Sequence, residues 1–295
     1  MASQKTVLVG GATGRLGVIV RVLRRRDQTV RALTREPESP RAHALREQGA
    51  EVSYGDFDDP ASVEAAARGV DAAFFTGTAH KAGPEGEARH GESFADAVAA
   101  AGVPHVVFSS GAGADQDTGL PVFESKFAVE EHIRELGLPA TILAPVYFME
   151  NVFNPWNIPI LQAGKLPVAL PPDRSLQQTP TIDVAAFAAH VIERPDEFIG
   201  QRIELASDEL TGEEAAEQLS GVLGREVEVA ELDQDALGPG LRALFAWLDK
   251  VGHHVDIAGL RARYPDVRWH RFEGWARMVS HHPDPQTEQL QRLGA

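Results

Sequence analysis

Residues 5–17 read KTVLVGGATGRLG, from Lys5 to Gly17. A short apolar run, Val7-Leu8-Val9, leads into Gly11, Ala12, Thr13, Gly14, Arg15, Leu16 and Gly17. The apolar-periodic Val18, Ile19, Val22 and Leu23 follow. This is the pattern of a strand, a glycine turn and the first turn of a helix. Free backbone N–H groups at a helix N-terminus point at an anion, and the helix dipole favours negative charge there. The turn is therefore a place to hold a pyrophosphate. By analogy with dinucleotide-binding turns, Gly11 allows a tight turn, Gly14 lets the backbone approach the phosphates, and Gly17 lets helix and strand pack closely. The spacing is G-x-x-G-x-x-G, one residue longer than the usual fingerprint. Taken alone, the glycines also fit a surface turn without a ligand. The strand before and the helix after them favour the dinucleotide.

Outward from this turn, strand and helix alternate. Residues 29–33, 51–54, 71–76, 105–109 and 140–144 read as strands, and residues 41–48, 60–68, 86–101 and 124–136 as helices. Continuous apolar strands between helices predict a parallel sheet covered on both faces. Right-handed crossovers make it doubly wound. Beyond residue 144 prolines become dense, which predicts extended or turning chain. Short strands are then expected at 202–205 and 226–229 around a helix at 212–223, with further helices at 241–251, 257–264 and 272–279. The expected fold is α/β: a dinucleotide-binding domain over residues 1–150, and a smaller C-terminal α+β substrate lobe over 151–295, interleaved with the first rather than folding alone.

The chain has 295 residues, 43% hydrophobic and 24% charged, which is ordinary globular composition. Having no cysteine, it contains no disulfide, thiolate metal site or cysteine nucleophile. The N-terminus has no basic region followed by an apolar stretch of signal length, and no segment reads as membrane-spanning. A cytoplasmic location is expected. The net charge of −15 opposes binding to nucleic acid or to anionic lipid. Arg24-Arg25-Arg26 closes the first helix, where cations complement the dipole. The expected partner is a small-molecule substrate.

The second strand ends in Leu33-Thr34-Arg35. NAD-selective folds place a carboxylate here for the ribose 2′-hydroxyl. Arg35 offers instead a donor fork suited to a 2′-phosphate, which argues for NADP(H). Glu36 adjoins it and reaches a ribose if the register slips by one. A solvated strand-end arginine is the alternative for Arg35.

These features occur in order with Gly55-Asp56-Phe57-Asp58-Asp59, Phe75-Thr76-Gly77-Thr78, Phe123-Glu124-Ser125-Lys126 and the run Pro145 to Asn151 (PVYFMEN). Together they resemble the NmrA-like family of atypical short-chain dehydrogenase/reductases, over residues 5 to about 280 in element order. The resemblance implies a Rossmann-type NAD(P)-binding domain with a small substrate lobe, usually taking NADP(H). Members include quinone and aromatic-ketone-type reductases, and also redox-sensing regulators without demonstrated turnover. It places Gly11 to Gly17 on the pyrophosphate, Arg35 on the 2′-phosphate, and Asp56 and Phe57 against adenine. Thr76, Gly77 and Thr78 line the ribose and phosphate path. Arg89 falls at a position basic in some relatives. Lys126 lies beside the nicotinamide ribose, and Tyr147, Phe148 and Asn151 border the nicotinamide end. Asp56, Asp58 and Asp59 alternatively cap the helix after Pro60.

Ordinary short-chain reductases use Tyr-x-x-x-Lys, which puts both side chains on one helix face. Here the residue four before Lys126 is Val122, so the usual proton donor is missing. Lys126 either acts as the acid itself or only binds ribose. Ser109 and Ser110 close the fifth strand, where they donate to a substrate oxygen or cap the loop that follows. Trp247 and His253 belong to a stretch that feeds the substrate pocket in the family, where His253 or His254 could supply the proton; a surface histidine is the alternative. No H-E-x-x-H spacing marks a zinc site. G-x-S-x-G is also absent, with Phe108 and Ala112 flanking Ser110 and Val107 preceding Ser109. The expected function is NADP(H)-dependent hydride transfer to an apolar conjugated acceptor: a quinone, enone or aromatic ketone. The alternative is a non-catalytic NADP(H)-binding regulator, which would have a protein partner.

Overall fold

β1 (Thr6–Val9) exposes none of Val7, Leu8 and Val9. A strand with no polar face needs cover on both sides, which a parallel sheet between helical layers supplies. The computed structural model describes residues 4–77 and 79–281. After β1 come α1 (Val18–Arg25), β2 (Thr29–Thr34), α2 (Pro40–Glu47), β3 (Glu51–Tyr54), α3 (Pro60–Ala67), β4 (Ala72–Thr76), α4 (Ala79–Ala100), β5 (Val106–Ser109), α5 (Pro121–Glu135) and β6 (Ala140–Pro145). Helix α4 starts before the expected Gly86. It is two helical pieces joined at Gly83, whose φ of 69° is non-helical.

The chain forms two units, Met1–Pro145 with Val184–Glu204, and Val146–Asp183 with Leu205–Ala295. Past β6 it builds β7 (Tyr147–Phe148), α6 (Ile158–Gln162), β8 (Lys165–Val168) and β9 (Leu176–Thr179). Then α7 (Thr181–Glu193) carries it back to the first unit, where α8 (Pro195–Phe198) and β10 (Arg202–Leu205) follow. The second unit resumes with β11 (Asp208–Leu210), α9 (Gly212–Leu223), β12 (Glu228–Glu231), α10 (Pro239–Lys250), α11 (Ile257–Arg263) and α12 (Phe272–His281).

The central sheet has seven strands in the order β10-β6-β5-β4-β1-β2-β3. β1 pairs in parallel with both β2 and β4, so the direction of strand addition reverses between β1 and β4. Such a switch point opens a crevice at the carboxyl ends of the strands. In the core Phe75 is stacked between Phe94 and Phe108, with ring centroids 4.4 and 4.6 Å away.

The proline-rich stretch after residue 145, expected to be extended or turning, holds short strands and helical turns. Two expectations are corrected. Helix α7 was not anticipated. Val184, Ala185, Phe187, Ala188, Ala189, Val191 and Ile192 are all buried, so the helix has no polar stripe and no amphipathic period. Strand β10, expected in the small lobe, is the edge of the central sheet beside β6.

The second unit holds the three-stranded sheet β11-β9-β7 and the pair β12-β8. Its core gathers Met149, Leu161, Leu166, Leu219 and Trp275. Glu150, buried, accepts hydrogen bonds from Thr181 N, Thr181 Oγ1 and Trp275 Nε1. Among the described residues no helix is long and apolar enough to cross a membrane.

His105, buried just before β5, donates from Nε2 to Thr141 Oγ1, which itself donates to the Phe198 carbonyl. Nδ1 is then a buried lone pair with no partner among the described residues. Burial, helped by Lys5, pushes this imidazole from 6.5 down to about 4. The unfolded chain therefore binds the extra proton in that window and the folded chain does not, so stability falls as pH drops from 6.5 to about 4. His105→Gln should flatten the stability–pH profile over this range in urea titrations; an unchanged slope would exclude His105 as the cause.

Candidate cofactor site

The glycine turn sits at the switch point. Gly10 N donates to the Phe74 carbonyl at 2.8 Å, which prolongs the β1–β4 ladder into the turn. Gly11 then takes φ +75°, a left-handed value that favours glycine. Gly14 N bonds Gly11 O at 2.8 Å and Gly17 N bonds Gly14 O at 3.0 Å, winding residues 15–17 into a single 3₁₀ turn ahead of α1. A Cβ on Gly14 would meet one atom within 4 Å, Gly11 O at 3.1 Å, so this face of the turn is open for backbone approach. A Cβ on Gly17 would lie 2.0 Å from Ala12 O. What excludes a side chain at Gly17 is the turn's own carbonyl, where the sequence suggested helix–strand packing. Gly10, which the fingerprint does not single out, is the glycine packed on core aromatics: its Cβ would lie 2.9 Å from Phe94 Cε2. Ala12 and Leu16 are buried and lock the turn; Thr13 and Arg15 are not.

At the end of β2, Arg35 is exposed, and no acidic side chain among the described residues pairs with it. Asp56 and Phe57 follow β3. Gly55 N bonds Thr34 O, and the Asp56 carboxylate accepts Asp58 N at 3.1 Å. Phe57 packs edge-on to Phe94 at 5.6 Å. Asp59 makes no side-chain cap on α3; Ser62 Oγ instead bonds this turn at Asp56 N. Arg89 donates to Asp58 Oδ1 at 3.1 Å, and His90 Nε2 lies 3.1 Å from the same oxygen. Chiefly the Arg89 hydrogen bond holds the Asp58 carboxyl below its usual range.

Thr76 ends β4 and Gly77 follows it; Thr78 lies outside the described residues. Lys126, on α5, is held by a residue the sequence reading missed. Its Nζ donates to Glu87 Oε1 at 2.7 Å and Oε2 at 2.8 Å. Glu87 is 2% exposed and also accepts Ser125 Oγ at 2.7 Å. A Cβ on Gly77 would lie 1.7 Å from Glu87 Oε1, so only glycine admits this carboxylate. The Lys126 stem crosses Gly111, whose Cβ would meet Lys126 Cδ at 3.2 Å. Nothing in the local sequence marks Glu87, one of 43 acidic residues.

Ser109 and Ser110 are both buried. Ser109 Oγ has no partner among the described residues, whereas Ser110 Oγ donates to Glu130. Glu130 in turn bonds Arg202 Nε at 3.0 Å, and Arg202 Nη2 reaches Gly111 O and Asp115 Oδ1, each at 3.1 Å. The Ser110 hydroxyl is thus engaged in tying α5 to β10 and to the loop after β5.

In the second unit, Tyr147 and Phe148 form β7, and Asn151 accepts Asn157 Nδ2 at its carbonyl, 3.2 Å away. A cavity of about 80 Å³ lies here, its wall including Tyr147, Met149, Leu166, Val168, Leu176 and Phe245. Trp247 and His253 are not on its wall; their rings pack edge to face 5.2 Å apart, and Phe245 of the same helix faces the cavity instead. Burial, with His254 adding to it, pushes the His253 imidazole down to about 4. It is neutral at pH 7, which makes it a poor proton donor there.

The chain belongs to the NmrA-like family, whose model matches residues 3–244. It is 34% identical to the (4-alkanoyl-5-oxo-2,5-dihydrofuran-3-yl)methyl phosphate reductase of Streptomyces griseus subsp. griseus, over 81% of each chain. Among solved structures, the NADPH-dependent quinone oxidoreductase QOR2 of Escherichia coli, complexed with NADPH, superposes with a TM-score of 0.75 at 24% identity, covering 93% of this chain and 99% of that one. The negative transcriptional regulator NmrA in complex with NADP has a TM-score of 0.74 at 22% identity, over 94% and 95%. At these identities the two structures share the fold.

Two glycine variants separate ligand approach from folding. Gly14→Val should abolish NADPH binding in titration calorimetry with little change in circular dichroism. Gly17→Ala should lower the melting temperature as well, since its Cβ collides with Ala12 O. Undiminished NADPH binding by Gly14→Val would remove the turn from the site.

Proposed function

We propose that this NmrA-like chain is an NADPH-dependent reductase of small, apolar, conjugated acceptors. The observation that carries the reading is the open face of Gly14 at the β1–β4 switch point, together with Arg35 exposed and without a carboxylate partner at the end of β2. The first fits a pyrophosphate backed by the α1 N-terminus. The second fits a 2′-phosphate, which a carboxylate at that place would repel. When bound, the reduced nicotinamide supplies the hydride, and the protein's work is to orient the reactants and exclude water.

In this reading Thr76 and Gly77 flank the ribose and phosphate path, and Asp56 and Phe57 meet the adenine. Lys126 binds the nicotinamide ribose. If it gave up its proton to a substrate, Glu87 would be left as a buried carboxylate without its cation, a costly state. That weighs against Lys126 as the acid. With Val122 in the tyrosine's place and Ser110 engaged by Glu130, the remaining hydroxyl at the end of β5 is that of Ser109, a weak acid. Conjugated acceptors suit such a site. Hydride adds to a carbon whose charge spreads over the conjugated system, so protonation by solvent can follow. The Streptomyces griseus relative's named substrate shares the conjugation, a lactone whose ring double bond is conjugated with two carbonyls, but it also carries a phosphate and is not apolar. The regulator reading uses the same cofactor residues and gains only if no acceptor consumes NADPH.

The experiment is purified protein with NADPH or NADH and a panel of quinones, enones, unsaturated lactones and aromatic ketones, followed by loss of nicotinamide absorbance. NADPH should bind more tightly than NADH. Arg35→Ala should erase most of that preference, about 1.5–3 kcal/mol for a charge-assisted contact. Equal affinity for both nucleotides would sink the NADPH assignment, and an inert panel the reductase one.

A further inference from the structure

We infer that Glu87 is a positioning residue for the cofactor: its buried carboxylate holds the Lys126 ammonium at the carboxyl ends of β4 and β5, aimed at the nicotinamide half of the dinucleotide. The inference rests on the NADPH reading above. Four observations carry it. Both oxygens of the Glu87 carboxylate lie within 2.8 Å of Lys126 Nζ, so the ammonium is held by a close bidentate contact from one side. Ser125 Oγ donates to Oε2 and fixes the carboxylate from the same helix as the lysine. Gly77, directly after β4, is the gap through which the carboxylate fits, and Gly111, after β5, is the surface over which the lysine stem runs. Finally, Glu87 is 2% exposed and the Lys126 side chain 17%, so the acid lies beneath and the ammonium above it, toward solvent.

The placement identifies which half of the ligand is served. With the pyrophosphate at the β1–α1 turn, a dinucleotide in a doubly wound sheet extends to both sides of the switch point. β2 and β3 lie on one side and carry Arg35 and Asp56, the adenosine side. β4 and β5 lie on the other. An ammonium has three N–H donors. Glu87 lies to one side of Nζ, which leaves at least one N–H for a ribose hydroxyl. Ordinary short-chain reductases have a tyrosine four residues before the lysine on the same helix. Here Val122 stands there, and the lysine is fixed from a different helix, α4.

The test is a double-variant cycle in binding, read by titration calorimetry with two ligands: NADPH, and adenosine 2′,5′-bisphosphate, which lacks the nicotinamide half. Lys126→Met alone strands a buried carboxylate and is the variant most exposed to unfolding, so the double variant Glu87→Gln/Lys126→Met is included to remove both charges together. Glu87→Gln should weaken NADPH about ten- to hundredfold, the loss expected when a charge-assisted contact is misplaced. It should leave the bisphosphate unaffected. The double variant should bind NADPH no more weakly than the weaker of the single variants. Wild-type NADPH affinity in Glu87→Gln overturns the inference. So does equal weakening of both ligands, which marks a merely structural role, and so does a double-variant loss equal to the product of the single losses. If the unmodified protein binds neither ligand, the NADPH reading itself has failed. If it binds both and Glu87→Gln changes nothing, only the role of Glu87 has failed.

Discussion

A single carbonyl sets the shape of the site. Ala12 O points to where a side chain on residue 17 would begin, and a Cβ there would be 2.0 Å away. The chain can therefore pass from β1 into α1 within one turn only if residue 17 is glycine. That turn carries the end of β1 to the start of α1 at the place where the strand order reverses. Gly11 bends the chain with a positive φ, Gly10 lies flat on Phe94 and Phe75, and a Cβ on Gly14 would meet only Gly11 O, at 3.1 Å. The four glycines thus do different things. Gly10, Gly11 and Gly17 allow the backbone to pack against the core or itself, and Gly14 is the least hemmed in. The turn places the start of α1 at the crevice, one strand away from Arg35.

Charge is handled in the sheet unit by a repeated device. Glu87 and Glu130, 2% exposed each, are buried carboxylates, and each carries one cation and one serine: Lys126 with Ser125, and Arg202 with Ser110. Buried ion pairs contribute little net stability, because desolvation offsets most of the attraction. Their effect is geometric, since a buried carboxylate without its cation is costly and alternative arrangements are therefore rejected. Both pairs act on the segments that follow β4 and β5, the segments that floor one side of the crevice. Glu130 and Arg202 hold Gly111 and Asp115 in the loop after β5. Glu87 and Lys126 occupy the space beside Gly77 and Gly111.

How much of this was legible in the sequence depends on how local the signal was. The glycine turn and strands such as β1, β4 and β5 were readable because continuous apolar runs bounded by turn residues have one economical interpretation, a covered parallel strand. The position of Arg35 just after β2 was readable from the end of that strand. Helix α7 was not, because burial on all sides removes the 3.6-residue alternation that marks a helix. Strand β10 looked like the other short strands of the C-terminal half. Its place beside β6 is a long-range pairing with no local trace. Glu87 is the clearest case. It lies 39 positions from Lys126, and only the folded α4 and α5 bring them together. Which aromatic of α10 faces the cavity was not legible either: the helix reads as amphipathic, but packing puts Phe245 and not Trp247 on the wall.

The missing tyrosine then looks less like a lost part than like a different division of labour. In a Tyr-x-x-x-Lys helix the lysine serves two groups, the phenol and the ribose. Once the phenol is gone, the lysine needs another partner, because an ammonium aimed by nothing would lose its direction to solvent. Glu87 supplies that partner from beneath, at the cost of making the lysine's charge part of the fold. Under the proposed reductase reading, a site with no phenol at residue 122 and a lysine committed to Glu87 suits an acceptor that disperses the arriving charge through its own conjugation better than it suits an isolated carbonyl.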